Sequence, residues 1–410
     1  MIYITLFVSL IFLANSIFYR QLTPSYMATM FWSVQVIIAI IFINDSFYGF
    51  YDALIWLWFV LFSCLLFGID ANVKRKNIEL NVSVDIIKAR KGIIVQCLLA
   101  YICVVLNINA HGFDFHSFLS LNSLAEANNE MAINRYSGTE GESFLAQLLL
   151  MFVYSSCISV GYLKGFSDEK LIKLILMAIV PSILIVLSLN TKAVFLTCVI
   201  FLLVGYIVGV KTSKKAIELN TTKIIKLITI LIIPICILVF SMMLRIGTVD
   251  ISTFEIVIHK FISYSLAHIP AFCYWFQNNI AIEYSLGEKT LLGPLSVLGI
   301  NERIQGVYSD FWSDGNLMTN VYSYFRGLIE DFGMMGGALA FVIIVMMGNY
   351  AYKVYLSGGN KNICITVLTF VYCFIFFWPV SLCTYVSLIA SFFVFFIFLK
   401  TSMVFTDDKR

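Results

Sequence analysis

The chain has 410 residues, 60% of them hydrophobic and 12% charged, with a net charge of +3 and a mean hydropathy of +0.91. A soluble chain of this length carries about twice that charged fraction, and so small a net charge gives no basis for nucleic-acid binding. Composition therefore excludes an ordinary soluble enzyme and points to an all-α, polytopic membrane protein.

Apolar runs long enough to cross about 30 Å of hydrocarbon predict about eleven spans. They lie near 1–18, 25–43, 49–69, 93–109, 144–163, 171–189, 193–210, 227–244, 333–352, 363–379 and 382–399. The first has no cationic flank ahead of it, so it is expected to be a span and not a cleaved signal peptide. All of 1–410 reads as a single integral membrane domain. The ten cysteines fall mostly inside apolar runs such as "FSCLLFG" and "VYCFIFF", where they read as small hydrophobes. No CxxC pair, Cys/His spacing, GxGxxG or P-loop is present, so neither metal nor cofactor is expected.

Basic clusters set the orientation. "KRK" at 74–76, "KARK" at 88–91 and "KTSKK" with "KIIK" between 211 and 226 belong in the cytoplasm by the positive-inside rule. Alternation then puts the N-terminus outside and the C-terminus inside, with long outer loops at 110–143 and 245–330. On this topology twenty of 27 cations and eight of 24 acids are cytoplasmic, so basic charge concentrates inside and acidic charge outside. All four histidines and four of the seven outer cations, which are arginines, face outward. Chemistry is therefore expected at the outer face. In the second loop Phe254, Val257, Ile258, Phe261, Ile262, Leu266 and Ile269 recur at helical spacing, predicting an amphipathic surface helix that ends at Pro270.

That loop re-enters the membrane at "TNVYSYFRGLIEDFGMMGG", which carries Thr319, Asn320, Tyr322, Arg326, Glu330, Asp331, Gly333 and Gly336. The order of these residues resembles the bacterial O-antigen polymerase family, the Wzy-type oligosaccharide repeat-unit polymerases. "SLNTKAVFL", at the outer end of an earlier span, and the late outer loop are similar as well. Related O-antigen ligases typically have His-Asn where this chain has Thr319-Asn320, and relatives often carry arginine at Lys192.

The resemblance implies a GT-C-like helical bundle with a large, partly helical periplasmic loop, in the bacterial inner membrane. It implies a membrane glycosyltransferase that joins undecaprenyl-diphosphate-linked repeat units at the periplasmic face, making O-antigen or a similar polysaccharide without a nucleotide sugar. Lipid-linked donor and acceptor glycans and membrane lipid would be its partners, a chain-length regulator remaining open and nucleic acid not expected. A flippase or transporter of the same lipid-linked glycan stays open as an alternative, as does a ligase.

Candidate residues follow, each with a plainer reading beside it. Arg326, Glu330 and Tyr322 fall on one helical face. They either bind a diphosphate and an acceptor or form a helix-end ion pair that neutralises two charges near lipid. Asp331 points about 100° away and is a second base candidate. Arg245 and Arg303 would join Arg326 in a diphosphate clamp, or snorkel and pair with nearby acids. Arg135, Lys192 and Asn320 are further binding candidates. His268 is a third base candidate, or a hydrogen-bonded structural histidine. Gly333 and Gly337 read as small residues that permit close helix contact.

Overall fold

The computed structural model describes residues 1–18, 21–69, 82–137, 143–167, 169–213, 221–247, 250–278, 284–301 and 308–405. Among them are fifteen α-helices. The first eight are α1 (Ile2–Phe18), α2 (Pro24–Phe42), α3 (Asp52–Gly68), α4 (Ile86–Ala110), α5 (Leu121–Ser137), α6 (Phe144–Phe166), α7 (Ile172–Leu189) and α8 (Lys192–Thr212). The other seven are α9 (Thr221–Ile246), α10 (Ile251–Leu266), α11 (His268–Asn278), α12 (Leu292–Val297), α13 (Tyr324–Leu356), α14 (Lys361–Phe376) and α15 (Val386–Ser402). Strand is confined to two short antiparallel ribbons, β1 (Val82–Val84) with β4 (Met403–Phe405) and β2 (Trp312–Ser313) with β3 (Met318–Thr319).

Each of the eleven predicted apolar stretches lies on a helix. Six helices are long and apolar enough to cross a membrane, namely α2, α4, α6, α7, α8 and α13; the broken pair formed by part of α9 with α10 would make a seventh. The apolar helices α1, α3, α14 and α15 have 16 or 17 residues, short of the roughly 20 that a full crossing takes.

Helix starts follow the local sequence. Thr23 accepts a hydrogen bond from the Tyr26 amide, with Pro24 in the first turn of α2. Ser143, Asp85 and Asn360 cap α6, α4 and α14 in the same way. In each case a short polar side chain meets one of the amides that a helix N-terminus leaves without a partner.

The chain divides into two compact units, one made of 1–80 and 260–386, the other of 81–259 and 387–410. In the second unit α6 and α8 are in backbone contact. A Cβ on Gly161 or Gly165 would run into the carbonyls of Leu202 or Tyr206, and one on Gly205 or Gly209 into those of Ile158 or Tyr162. Glycines four apart on both helices thus let the two backbones meet. The β1–β4 ribbon ties the end of α15 to the start of α4, and the Asp85 amide donates to the Ser402 carbonyl at 2.9 Å.

The first unit is built on aromatic packing. Trp32 of α2 donates from its indole to the Tyr324 hydroxyl at 3.0 Å. Tyr324, Phe325, Phe341 and Phe374 pack with ring centroids 4.7 to 6.4 Å apart. Polar contact is sparse; one such contact is the Asn349 amide, which donates to Ser25 Oγ at 2.7 Å.

Helix α13 is not continuous. Gly333 has φ 74° and ψ 171°, outside helical space, so residues 324–332 form a half-helix that turns before the apolar segment from 334 onward. The predicted span beginning at 333 starts at this break. Gly337 takes the return contact, since a Cβ there would lie 2.9 Å from the Leu328 carbonyl.

Two expectations change. The amphipathic helix predicted to run on to Pro270 stops at Leu266, and Pro270 sits in the first turn of α11, where its missing amide costs nothing. The segment 110–143, expected as a long outer loop, contains a helix of its own, α5.

Candidate functional site

A helix broken at Gly333 leaves carbonyls without partners, and the chain supplies them from outside. The amides of Ser285 and Leu286 donate to the carbonyls of Glu330 and Asp331 at 3.1 and 3.2 Å. The Trp56 indole donates to the Met334 carbonyl at 3.2 Å. Tyr284 fills the space where Gly333 lacks a side chain. The segment 284–292 is therefore the cap of the half-helix.

Asp331 completes that cap. It is fully buried and accepts four hydrogen bonds. These come from Ser285 Oγ at 2.5 Å, the Lys289 amide at 3.0 Å, the Thr290 amide at 2.7 Å and Thr290 Oγ1 at 2.5 Å. Both oxygens of the carboxylate are thus engaged by donors of the 285–290 turn. The geometry makes Asp331 an anchor for the turn, not an open base.

One face around from Asp331, Arg326 lies with its side chain 9% exposed. Its Nη1 and Nη2 donate to the two carboxylate oxygens of Asp310 at 2.8 and 3.1 Å, and its Nε donates to Glu330 Oε1 at 2.8 Å. The guanidinium lies 3.9 Å from the ring centre of Tyr308, 4.2 Å from that of Tyr322 and 5.2 Å from that of Trp275. Two carboxylates and three rings thus surround a single arginine. Burial disfavours a charge on Asp310, but hydrogen bonds from Arg326 and Tyr322 and the guanidinium charge outweigh it, leaving the carboxyl below the usual range. Burial first, then the Glu330 charge, hold the Tyr308 phenol well above its ordinary value, so it stays a neutral donor.

Glu330 is the group left partly open. Its Oε1 is held by Arg326, while its Oε2 is buried with no hydrogen-bond partner among the described residues. An oriented carboxylate with one free oxygen has the form a general base needs. The chain matches no family model, no curated protein and no solved structure.

The structure gathers Tyr322, Arg326, Glu330 and Asp331 in the first unit. Asn320 is half-buried just before them. Lys192, which donates to Asn190 Oδ1, belongs to the second unit together with Arg245 and Arg135. Arg303 lies outside the described residues. Within the first unit Arg326 meets acids and rings, and no second guanidinium of that unit's described residues joins it.

His268 is fully buried, its ring centre 6.4 Å from that of Trp32 and 6.2 Å from that of Trp378. Burial, opposed by the Ser265 backbone, lowers its pKa to about 3. It is neutral at physiological pH and enclosed in an aromatic box, which does not suit a group meeting an acceptor hydroxyl.

Sequence reading missed Asp310 and Lys289, and missed Tyr308 and Trp275 as partners of Arg326. Asp310 lies sixteen residues before Arg326, and no periodicity links a hairpin leg to a helix. Its one visible signal is the composition of "YSDFWSDGN", acids among aromatic residues. Among the described residues, no group of three or more His, Cys, Asp or Glu is placed to hold a metal ion.

Proposed function

We propose that the chain is an outer-face membrane glycosyltransferase that polymerises lipid-linked oligosaccharide repeat units. On this reading all eleven apolar helices lie in the bacterial inner membrane, with the N-terminus periplasmic and the C-terminus cytoplasmic. Resemblance of the 319–337 segment to the O-antigen polymerases supports it. So does the position of the acid and aromatic cluster at the end of a broken, membrane-length helix.

The observation that carries the reading is the divided carboxylate of Glu330, with Oε1 fixed by Arg326 and Oε2 buried without a hydrogen-bond partner among the described residues. Glu330 Oε2 takes the proton from an acceptor sugar hydroxyl. That oxygen forms a bond to the anomeric carbon of the donor glycan, and the bond from this carbon to the diphosphate oxygen breaks, its electron pair leaving with the lipid diphosphate. Arg326 is a positioning residue, because Asp310 and Glu330 engage three of its five N–H donors and both pair with its charge.

The test is purified protein in proteoliposomes supplied with undecaprenyl-diphosphate-linked repeat units. Lengthened glycans are expected from the natural sequence, with a loss of about 10²-fold or more in Glu330→Gln while thermal stability is kept. Carriers that remain single-unit, whether or not they change leaflet, overturn the reading.

A further inference from the structure

Any ligand containing a diphosphate brings negative charge that a cation must meet. Arg326 is poorly placed for this. Its fork is closed by both oxygens of Asp310 and one of Glu330, and the rings of Tyr308 and Tyr322 lie within 4.2 Å of the guanidinium.

Lys289 is differently held. Its amide is fixed to Asp331 Oδ1, and the neighbouring Thr290 is bound to Oδ2 of the same carboxylate. Its Cβ packs on the half-helix, 3.4 Å from where a Cβ on Gly327 would lie. The base of the side chain is thus fixed one face around from Arg326 and Glu330. Its charge acts on Glu330, yet among the described residues the two form no salt bridge, and the ammonium has no carboxylate partner. The Lys289 side chain therefore starts against the same half-helix that carries Glu330, and both its ammonium and Glu330 Oε2 lack a partner among the described residues.

We infer that Lys289 is the cation that contacts the diphosphate of the ligand, opposite the Glu330 oxygen that meets its hydroxyl partner. The inference rests on the reading of the site as a glycosyl-transfer centre. A compact ammonium with three rotatable donors suits a tetrahedral phosphoryl group, where a planar fork is not required. Asp310 and Glu330 both pair with Arg326, and Asp331 is held by four hydrogen-bond donors, so Lys289 is the cation of this cluster with no carboxylate at contact distance. Binding of a dianionic group is then favoured by the one cation whose charge is not already engaged at contact distance.

The test uses the full chain in lipid nanodiscs, titrated with inorganic pyrophosphate by calorimetry. Saturable binding is expected for the natural sequence, weakened about tenfold or more by Lys289→Met. Lys289→Arg should stay within about threefold, and Lys260→Met, on the exposed side of α10, should match the natural sequence. Nanodiscs preloaded with a prenyl diphosphate should bind pyrophosphate less tightly, because the lipid headgroup and the free anion share one site. Absence of pyrophosphate binding, equal binding by Lys289→Met, or indifference to the prenyl diphosphate overturns the inference. Lys289-dependent binding in a protein that lengthens no glycan leaves the inference standing and removes the glycosyltransferase. Normal polymer, with unchanged kcat and KM, from Lys289→Met does the reverse.

Discussion

Asp310 grips Arg326 through both carboxylate oxygens, at 2.8 and 3.1 Å, although Asp310 itself is half exposed and Arg326 is buried. Breaking a buried ion pair from one side leaves the other charge uncompensated, at about 3–5 kcal/mol for a fully enclosed pair. Arg326→Ala should therefore lower the thermal midpoint in detergent by several degrees, and Asp310→Asn by less, because its site is partly solvated. Arg326→Lys should restore charge but not the fork, leaving Glu330 unfixed and glycan products reduced. Equal thermal midpoints for all three variants would show that the pair contributes nothing.

Asp331→Asn should loosen the 284–292 turn without unfolding the unit. One carboxylate oxygen becomes an NH2 facing donors, and each buried donor left unsatisfied costs about 1–3 kcal/mol. Hydrogen exchange should accelerate at the amides of Leu286, Lys289 and Thr290, while exchange along 334–356 is unchanged. Protection at those three amides equal to the natural sequence would remove the anchoring role.

Gly333→Ala faces two separate penalties. Its φ of 74° with ψ 171° belongs to a region almost confined to glycine, at about 1–3 kcal/mol for other residues. The new Cβ would also lie 2.6 Å from the Tyr284 ring. A double variant, Gly333→Ala with Tyr284→Ala, should recover the steric part and not the backbone part. Complete recovery in a thermal melt would contradict the backbone argument.

His268 predicts an acid limit. With a folded pKa of about 3 against 6.5 unfolded, the unfolded chain binds the proton more readily between those values. The histidine's contribution is complete above about pH 6.5 and falls as pH drops toward 3, by about 2–3 kcal/mol on reaching about pH 4.5. His268→Leu should flatten the dependence of the thermal midpoint on pH in that window. An unchanged slope would mean that the ring is not neutral and buried.

Much of this arrangement could be read from residue order. Hydrophobic runs located the long helices, because lipid demands length and apolarity of each one independently. The 326/330 spacing announced a pair, because one turn of helix brings such residues together. What escaped was non-local. Asp310 and Lys289 reach the half-helix through irregular segments whose course depends on Asp331 and on the break at Gly333. Nothing in the charge of Asp331 told an anchor from a base until its four donors were in view. The enclosure of His268 was hidden for a related reason, since an amphipathic pattern says which side of a helix is apolar and not how deeply its end is enclosed.

The cap around Gly333 also orders events during synthesis. The turn at 285–290 leaves the ribosome some forty residues before the carboxylate that collects its amides. Until residue 331 emerges, those amides have only water for acceptors. The 284–292 turn should therefore acquire protease resistance abruptly, once residue 331 has been made.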